Sequence, residues 1–195
     1  LIADGMLQTL VEWLTVIASS SWLPFRHTAA LATGQLVKTL VQSVLSRISA
    51  DMGKRQRQVL AEEKKNGGAD SSRARSLRQQ VDKLKAVVCV AERDVVTVAF
   101  NSLFMHLYRD SHGVVRADLL KFYGAWISSY PKLFLKDSRT KYLGWMLHDR
   151  VADVRFNAVK ALVEVYDGAA AGDVATKLNN FTLRFKRRIV EMVHD

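Results

Sequence analysis

The chain contains 195 residues, of which 49% are hydrophobic and 25% are charged, a composition typical of a globular protein and not of a disordered one. Lysine and arginine number 29 against 19 aspartate and glutamate, so the formal net charge is +10 and the pI is near 9.9. This balance favours a polyanionic or acidic partner, whereas the single cysteine, Cys89, excludes an internal disulfide, and no apolar run reaches the ~18 residues of a membrane span.

Only two prolines interrupt the sequence, which favours long helices. The sequence begins at Leu1 without a methionine and ends at Asp195, shortly after a basic cluster, so we expect a segment of a longer protein. We also expect this segment to be soluble and to reside in a reducing intracellular compartment.

The first predicted helix begins after Asp4, which is placed to cap it, and carries an apolar face through Ile17. A serine-rich break and Pro24 precede a second helix, which the apolar spacing extends over roughly 30 residues or more. The distal part of this helix, residues 54–65, is almost entirely polar, so we predict that it projects into solvent.

Glycines mark the clearest loop, at residues 66–72, where the chain can reverse and Ser72 can cap the next helix. The return helix is predicted over residues 73–108. Its valine-rich second half also permits a strand, but the pattern is continuous with the polar helical part and contains no turn signals, which favours helix. The two long helices therefore form a predicted αα-hairpin whose tip occupies residues 53–86.

The most informative pattern is an internal repeat with an offset of 39 residues, as from Asp110 to Asp149. The recurring pairs are Asp110 and Asp149, Val115 and Val154, Arg116 and Arg155, and Lys121 and Lys160. A period near 40 residues is typical of two-helix solenoid repeats of the HEAT and armadillo kind. The shared motif, D-x4-VR, places aspartate at a turn between helices, valine toward the core and arginine within reach of a neighbouring aspartate. Chance matching between helices of similar composition is the alternative.

Pro131 ends the helix of the first copy, Asp137 and Ser138 can cap the helix that carries Trp145, and a last helix begins near Asp173. The predicted fold is therefore an all-α HEAT-repeat solenoid with a long projecting αα-hairpin. We divide it into N-terminal HEAT helices at residues 1–52, the hairpin tip at 53–86 and the remaining HEAT helices at 87–195.

Ordered motifs run through residues 104–166: HLYRD, VR, W-x3-YP-x2-F-x2-D, KYLGW, LHD and VR-x4-KAL. So many matches at ordered spacing are a specific signal, and this stretch resembles the stromalin conservative domain. The flanking segments WLT, FRHTAAL and FTLRFKRRIVEM are also similar to stromalin-family sequence. The resemblance covers nearly the whole chain and is weakest in residues 53–84.

The resemblance implies a HEAT-repeat cohesin subunit that lies along the kleisin subunit and helps to hold cohesin on chromatin in the nucleus. It also implies a groove for which aromatic-containing peptides of shugoshin, the release factor Wapl and the insulator protein CTCF compete. Carried over from the motifs YRD, D-x3-KYLGW and FTLRF, the groove residues are Tyr108, Arg109, Asp137, Lys141, Trp145 and Arg184. Met146 is a mild departure from the family pattern.

The residues themselves permit two interpretations of this groove. The spacing of Asp137, Lys141 and Trp145 by four places an acid, a base and an indole on one helical face, which can form a binding stripe. The alternative is an ordinary ion pair between Asp137 and Lys141 beside a core tryptophan. For Tyr108 and Arg109 the alternative is a helix end packed by tyrosine.

Two basic stretches are candidate contacts for double-stranded DNA. Residues 53–86 carry ten basic and four acidic side chains, and a second stretch lies near the C terminus. The residues that we assign to phosphate contact are Lys54, Arg55, Arg57, Arg73, Arg75, Arg78, Lys186, Arg187 and Arg188. Because no aromatic residues interleave with the hairpin charges, we expect binding without base stacking or sequence preference. Solvated helix faces are the alternative for both stretches.

Catalysis is not indicated. His148 and Asp149 resemble half of a metal-dependent hydrolase signature, but the other histidines lack metal-ligand spacing, and we expect no metal or cofactor. Cys89 lies among valines, where a buried and inert thiol is expected. The competing function class is a HEAT-repeat scaffold of another complex, such as a nuclear transport receptor, although receptors of this fold tend to be acidic.

Overall fold

A computed structural model describes residues 5–65, 71–167 and 172–194, and every regular element within them is helical. The first half contains α1 (Met6–Ala18), α2 (Leu23–Thr39), a π-helical stretch (Leu40–Leu45), α3 (Ser46–Lys65), α4 (Ser72–Val90), two further π-helical stretches (Ala91–Thr97 and Ala99–Phe104) and α5 (Met105–Leu107). The second half contains α6 (Gly113–Ser129), α7 (Pro131–Phe134), α8 (Asp137–Met146), α9 (Ala152–Asp167), α10 (Gly172–Glu191) and a 3₁₀ turn (Met192–His194). The described part of the chain contains no helix that is long and apolar enough to cross a membrane.

The helices are arranged in two layers. In one layer α2, α6 and α9 pack side by side, and in the other α1, the end of the return helix (residues 72–107), α8 and α10 follow one another. Trp126 of α6 is fully buried and donates its indole N–H to the carbonyl of Gly34 in α2, at 3.2 Å. The all-α prediction, including helix and not strand for the valine-rich part of the return helix, is confirmed.

Aromatic rings form the centre of the core. The return helix, α6, α7 and α8 contribute them, and none is more than 4% exposed: Phe100, Phe104, Tyr123, Trp126, Phe134 and Tyr142. Tyr123 donates its hydroxyl to the carbonyl of Arg139, at 2.8 Å, and burial strongly raises the pKa of this phenol. These contacts hold α8 against the return helix and thereby position the exposed residues at its end.

The π-helical stretches of the return helix were not predicted from the sequence. Buried residues recur there at every fourth position: Ala91, Val95, Ala99, Leu103 and Leu107. An α-helix has 3.6 residues per turn, so this four-residue period would gradually rotate the apolar face away from the core. A π turn contains an additional residue and compensates for this rotation. The wide turns therefore keep one long apolar face directed at the aromatic core.

The D-x4-VR motif connects successive repeats. Arg116 in α6 donates to both carboxylate oxygens of Asp149, at 2.8 and 2.7 Å, and also bonds the carbonyl of Asp110. Val115 and Val154 are fully buried, as the motif predicts. The predicted arrangement of aspartate at the turn, valine in the core and arginine reaching a neighbouring aspartate is confirmed.

Arg26 makes the equivalent contact one repeat earlier. Its Nε and Nη2 lie 2.8 and 3.3 Å from the carboxylate oxygens of Asp110. Its own turn begins at Ser20, whose hydroxyl accepts a hydrogen bond from the amide of Trp22 at 3.2 Å and whose carbonyl accepts one from Arg26 at 3.0 Å. Ser20 therefore begins a third copy of the motif, which sequence comparison missed because serine replaces the aspartate and a long hairpin insertion follows.

The helices α3 and α4 pack mainly on each other. Arg78 bonds Glu63, Arg55 bonds Gln80, and Arg73 lies 3.6 Å from Glu62. The predicted loop at residues 66–70 lies outside the described residues. Projection of this hairpin from the solenoid, and the domain boundaries drawn from it, stay predictions.

Several predicted helix caps differ from those in the structure. Asp4 lies outside the described residues, and Gly5, with a φ of 73°, precedes α1. Ser71 and not Ser72 caps α4, since its hydroxyl accepts from the amide of Ala74 at 3.1 Å. Asp137 does not cap α8 but is its first residue, where the positive end of the helix dipole favours a carboxylate.

The expectation of a buried thiol at Cys89 was wrong. Cys89 is exposed. The buried positions of α4 are Ala74, Val81 and Val88, at a spacing of seven, so the position that follows Val88 faces outward.

The close packing of α6 on α9 leads to a test of the solenoid interface. A Cβ on Gly124 would lie 2.8 Å from Cα of Ala161, so Gly124→Ala is expected to destabilise the fold by about 1–3 kcal/mol through overpacking. Gly53→Ala in α3 is the matched control, because no atom lies within 4 Å of its added Cβ. Helix propensity predicts that this control gains up to ~1 kcal/mol. Urea unfolding measures both, and equal stability changes would contradict the packing account.

The buried ion pair between repeats leads to a pH-dependent prediction. Burial raises the pKa of Asp149, but the hydrogen bonds from Arg116 and the Val151 amide outweigh it, and the net pKa is lowered. A lowered folded-state pKa contributes stability above the ordinary aspartate pKa of about 3.9, and this contribution is lost as the pH falls through the folded-state value.

We therefore expect Asp149→Asn to lower the free energy of unfolding by about 3 kcal/mol at pH 7. Below about pH 4 the variant should lose less stability than the parent chain, because it has no carboxylate to protonate at this position. Asp82→Asn is the control, since the Asp82 side chain is 71% exposed and pairs with Lys85 on its own helix. Unfolding free energies measured from pH 7 to pH 3 test this expectation. Parallel curves for the parent chain and Asp149→Asn would be inconsistent with it.

Candidate functional site

The end of the return helix meets the end of α8 at a cluster of three rings. Tyr108 packs edge-on against Tyr142 at 4.8 Å between centroids, and Tyr142 packs edge-on against Trp145 at 5.2 Å. Tyr108 and Tyr142 are buried, whereas Trp145 is 37% exposed. The indole of Trp145 is thus partly exposed and rests against two buried aromatic rings.

Cationic side chains lie over these rings. The ammonium of Lys141 is 5.2 Å from the centroid of Tyr142 and 5.3 Å from that of Trp145. The guanidinium of Arg109 lies 5.0 Å above the ring of Tyr108. Within the described residues Lys141 makes no ion pair with Asp137, so the ordinary ion pair considered from the sequence is not formed there. The cation–π contacts hold these charges at the surface without neutralising them.

The six predicted groove residues line two adjacent concavities. Tyr108, Arg109 and Trp145 line one of about 420 Å³, together with His148 and Arg150. The remaining three line a smaller one of about 120 Å³ between α8 and α10: Asp137, Lys141 and Arg184. Because Lys141 borders the second concavity and lies over Trp145, it connects the two.

The joined concavities carry a net positive charge. Their exposed charged groups are the cations Arg109, Arg150 and Arg184 and the acid Asp137, and the half-buried Lys141 adds a further positive charge. Asp110 and Asp149 also border the larger concavity, but each binds an arginine of the inter-repeat contacts. The arrangement therefore suits a ligand that combines an aromatic ring with negative charge.

Two features of α10 position Arg184 beside α8. Gly144 allows the ring of Phe185 to lie directly on the α8 backbone, where any Cβ would overlap that ring. Arg188 donates to the carbonyl of Leu147 at 2.9 Å, at the C-terminal end of α8. The glycine of KYLGW is thus required by close helix packing.

Sequence reasoning missed two contributors to this site, Tyr142 and Arg150. Tyr142 supports both Tyr108 and Trp145, and its position three residues before Trp145 was the available signal. Arg150 follows the turn aspartate directly, but only the fold brings it next to Arg109 in one concavity.

The cations assigned to DNA differ in their surroundings. On the hairpin, Arg55, Arg73 and Arg78 each contact an acidic side chain. Lys54 and Arg57 are exposed and have no such contact within the described residues. Arg75 is exposed and also interacts with another group of the protein. The nine residues therefore do not form a uniform surface.

The C-terminal cations are also divided. Arg187 pairs with Glu191 at 2.9 Å, and Arg188 bonds the carbonyl of Leu147, while Lys186 is exposed. Arg188 thus has a clear structural contact within the solenoid.

The described residues contain no group of three histidine, cysteine or acidic side chains that is able to hold a metal ion. His27 lies 2.6 Å from Asp118, which also binds Lys121, so this histidine belongs to the contact between α2 and α6.

Two family models match the chain. The stromalin conservative domain matches residues 109–186, and the STAG domain matches residues 1–80. The chain belongs to the stromalin family. It is 37% identical to human "Cohesin subunit SA-3" over 197 residues, and 37% identical to "Sister-chromatid cohesion protein 3" of Arabidopsis thaliana over 182 residues.

The comparison with a solved structure supports the fold. "Cohesin subunit Scc3" from Z. rouxii superposes with a TM-score of 0.81 at 22% identity, over 96% of this chain and 20% of that chain. The HEAT-repeat solenoid class predicted from the 39-residue period is thereby confirmed. This stromalin-family chain spans 16% of the length of the human and Arabidopsis relatives.

Proposed function

We propose that this chain is a non-catalytic scaffold segment of a cohesin subunit, active in the nucleus on chromatin, where it supports sister chromatid cohesion. Its relatives are named as cohesin subunits and as a sister-chromatid cohesion protein, and its matched family domains together span most of its length. Its partners in this proposal are the kleisin subunit, regulator peptides of the shugoshin, Wapl and CTCF kind, and double-stranded DNA.

The exposed indole of Trp145 carries the proposal for regulator peptides. Rigid aromatic anchors lose little conformational entropy on binding, and Trp and Arg commonly dominate peptide interfaces. Here Trp145 rests on Tyr142, and the half-buried Lys141 and the exposed Arg109 lie nearby. An aromatic side chain of the peptide would stack at Trp145, and its acidic neighbours would meet Arg109, Arg150 or Arg184.

Truncation of the anchor tests the peptide groove. We expect Trp145→Ala to weaken binding of an aromatic-containing shugoshin or CTCF peptide, measured with kleisin present, by about 2 kcal/mol or more, which is roughly 30-fold. Isothermal titration measures this affinity. Because Trp145 is at the surface, the melting temperature should change little.

Trp13→Ala is the matched control. Trp13 is 69% exposed on α1 and lines neither concavity, so its truncation should leave peptide affinity unchanged. Unchanged affinity in Trp145→Ala would remove this residue from the groove, and a large drop in melting temperature would identify it as a structural residue instead.

Capture of kleisin distinguishes this proposal from a HEAT-repeat transport receptor. We expect a central kleisin fragment to be retained by the immobilised chain at moderate salt, because a cohesin scaffold lies along that subunit. The control is the same chain incubated with a nuclear transport cargo peptide. Retention of the cargo peptide without retention of kleisin would favour the transport-receptor alternative.

The basic balance supports the proposal that the chain also contacts duplex DNA without sequence preference. The nine assigned residues, Lys54, Arg55, Arg57, Arg73, Arg75, Arg78, Lys186, Arg187 and Arg188, are candidates for phosphate contact and for release of condensed counterions. The association constant for such binding falls steeply as the salt concentration rises. Log K decreases by roughly 0.9 per unit of log salt concentration for each phosphate that is neutralised.

A further inference from the structure

One face of α3 carries a line of cations that binds no other side chain. The positions 47, 54, 57, 64 and 65 are separated by steps of seven, three, seven and one, which keeps them on one side of an α-helix. All five side chains are exposed, and none has a hydrogen bond or ion pair within the described residues: Arg47, Lys54, Arg57, Lys64 and Lys65. We name this set the α3 stripe.

The carboxylates of the hairpin lie elsewhere on its surface. Asp51 binds Arg55 at 2.9 Å, while Glu62 and Glu63 bind Arg73 and Arg78 of α4. The pairs of Glu62 and Glu63 hold the two helices together, the pair of Asp51 lies within α3, and all three reduce the charge that the arginines offer to a ligand. The five cations of the α3 stripe pair with none of these carboxylates, and Lys83 of α4 is a further exposed cation of the hairpin.

Small residues separate the cations of the α3 stripe. Ala50 and Ala61 are exposed between them, and no atom lies within 4 Å of a Cβ built on Gly53. Asp51 lies beside this face, four residues after Arg47, and its carboxylate pairs with Arg55. A long anion can therefore approach the helix closely and contact successive cations.

The length of the α3 stripe fits a nucleic acid backbone. With a rise of 1.5 Å per residue, the stripe extends roughly 27 Å along the axis, close to the ~34 Å of one turn of duplex DNA. An acidic polypeptide would need an apolar anchor to bind tightly, and none of the five stripe residues is apolar, although Leu60 is 57% exposed beside them. Both observations favour phosphates over an acidic protein segment.

We propose that the α3 stripe is the main phosphate-binding surface of the hairpin, and this inference rests on the proposed binding of duplex DNA. It adds Arg47, Lys64 and Lys65 to the surface. It also assigns Arg55, Arg73 and Arg78 chiefly to the packing of α3 on α4. Contacts with the stripe are made to the backbone of the duplex and are independent of base sequence.

Two triple variants of equal charge test the inference. The first neutralises the stripe with Arg47→Gln, Lys54→Gln and Arg57→Gln, and the control neutralises paired arginines with Arg55→Gln, Arg73→Gln and Arg78→Gln. Fluorescence anisotropy with two unrelated duplexes, across a salt series, gives affinity and salt slope. Circular dichroism checks that both variants keep the helical content of the parent chain.

We expect the stripe variant to bind duplex DNA about tenfold or more weaker at low salt, with a salt slope reduced by roughly two to three units. The paired-arginine variant should change affinity by no more than about threefold, since these side chains release fewer counterions. Equal losses in the two variants, or a larger loss in the control, would overturn the α3 stripe.

Two further outcomes have separate meanings. Absence of duplex binding by the parent chain at low salt would overturn the proposed DNA function itself, before any variant is compared. Tighter binding of polyglutamate than of a duplex of equal charge, lost in the stripe variant, would overturn phosphate recognition and assign the surface to an acidic polypeptide.

Discussion

The contact between an arginine of one repeat and the turn aspartate of the next is the constraint on which the site depends. Arg116 reaches Asp149 and Arg26 reaches Asp110, so each turn is held by the preceding repeat. Tyr108 and Arg109 directly precede one of these aspartates, and Trp145 lies four residues before the other. Fixing the two turns relative to each other therefore brings the rings and cations of the groove together.

The repeat could be predicted from the sequence because its two copies use the same residue types at the same spacing for the same contact. Asp110 and Asp149 recur with the same spacing to valine and arginine, so comparison of the chain with itself finds them. Ser20 performs the turn role with a hydroxyl, and Arg26 then binds Asp110 across an insertion of about two helices. Comparison of the sequence with itself does not find this copy, because serine replaces the aspartate and the copy does not lie at the 39-residue offset.

The candidate groove and the basic surface of the hairpin differ in how far sequence alone can describe them. Motif resemblance selected the six groove residues, but their division into two concavities depends on where α10 packs on α8, which Gly144 and Phe185 determine. Composition identified the hairpin as basic, yet it treated all its cations alike. The positions of Asp51, Glu62 and Glu63 distinguish the arginines that are held within the hairpin from the cations that are not.

The net charge of +10 is therefore concentrated at particular surfaces by the placement of the acids. Asp110 and Asp149 are used between repeats, and Asp51, Glu62 and Glu63 within the hairpin, so each binds an arginine that supports the fold. Among the other cations, Arg109 and Lys141 lie over aromatic rings near Trp145, and five lie along α3. Aromatic support favours a ligand with its own ring, whereas a bare line of charge favours a continuous polyanion. The placement of these carboxylates thus leaves two positively charged surfaces of different chemistry on one short segment of the solenoid.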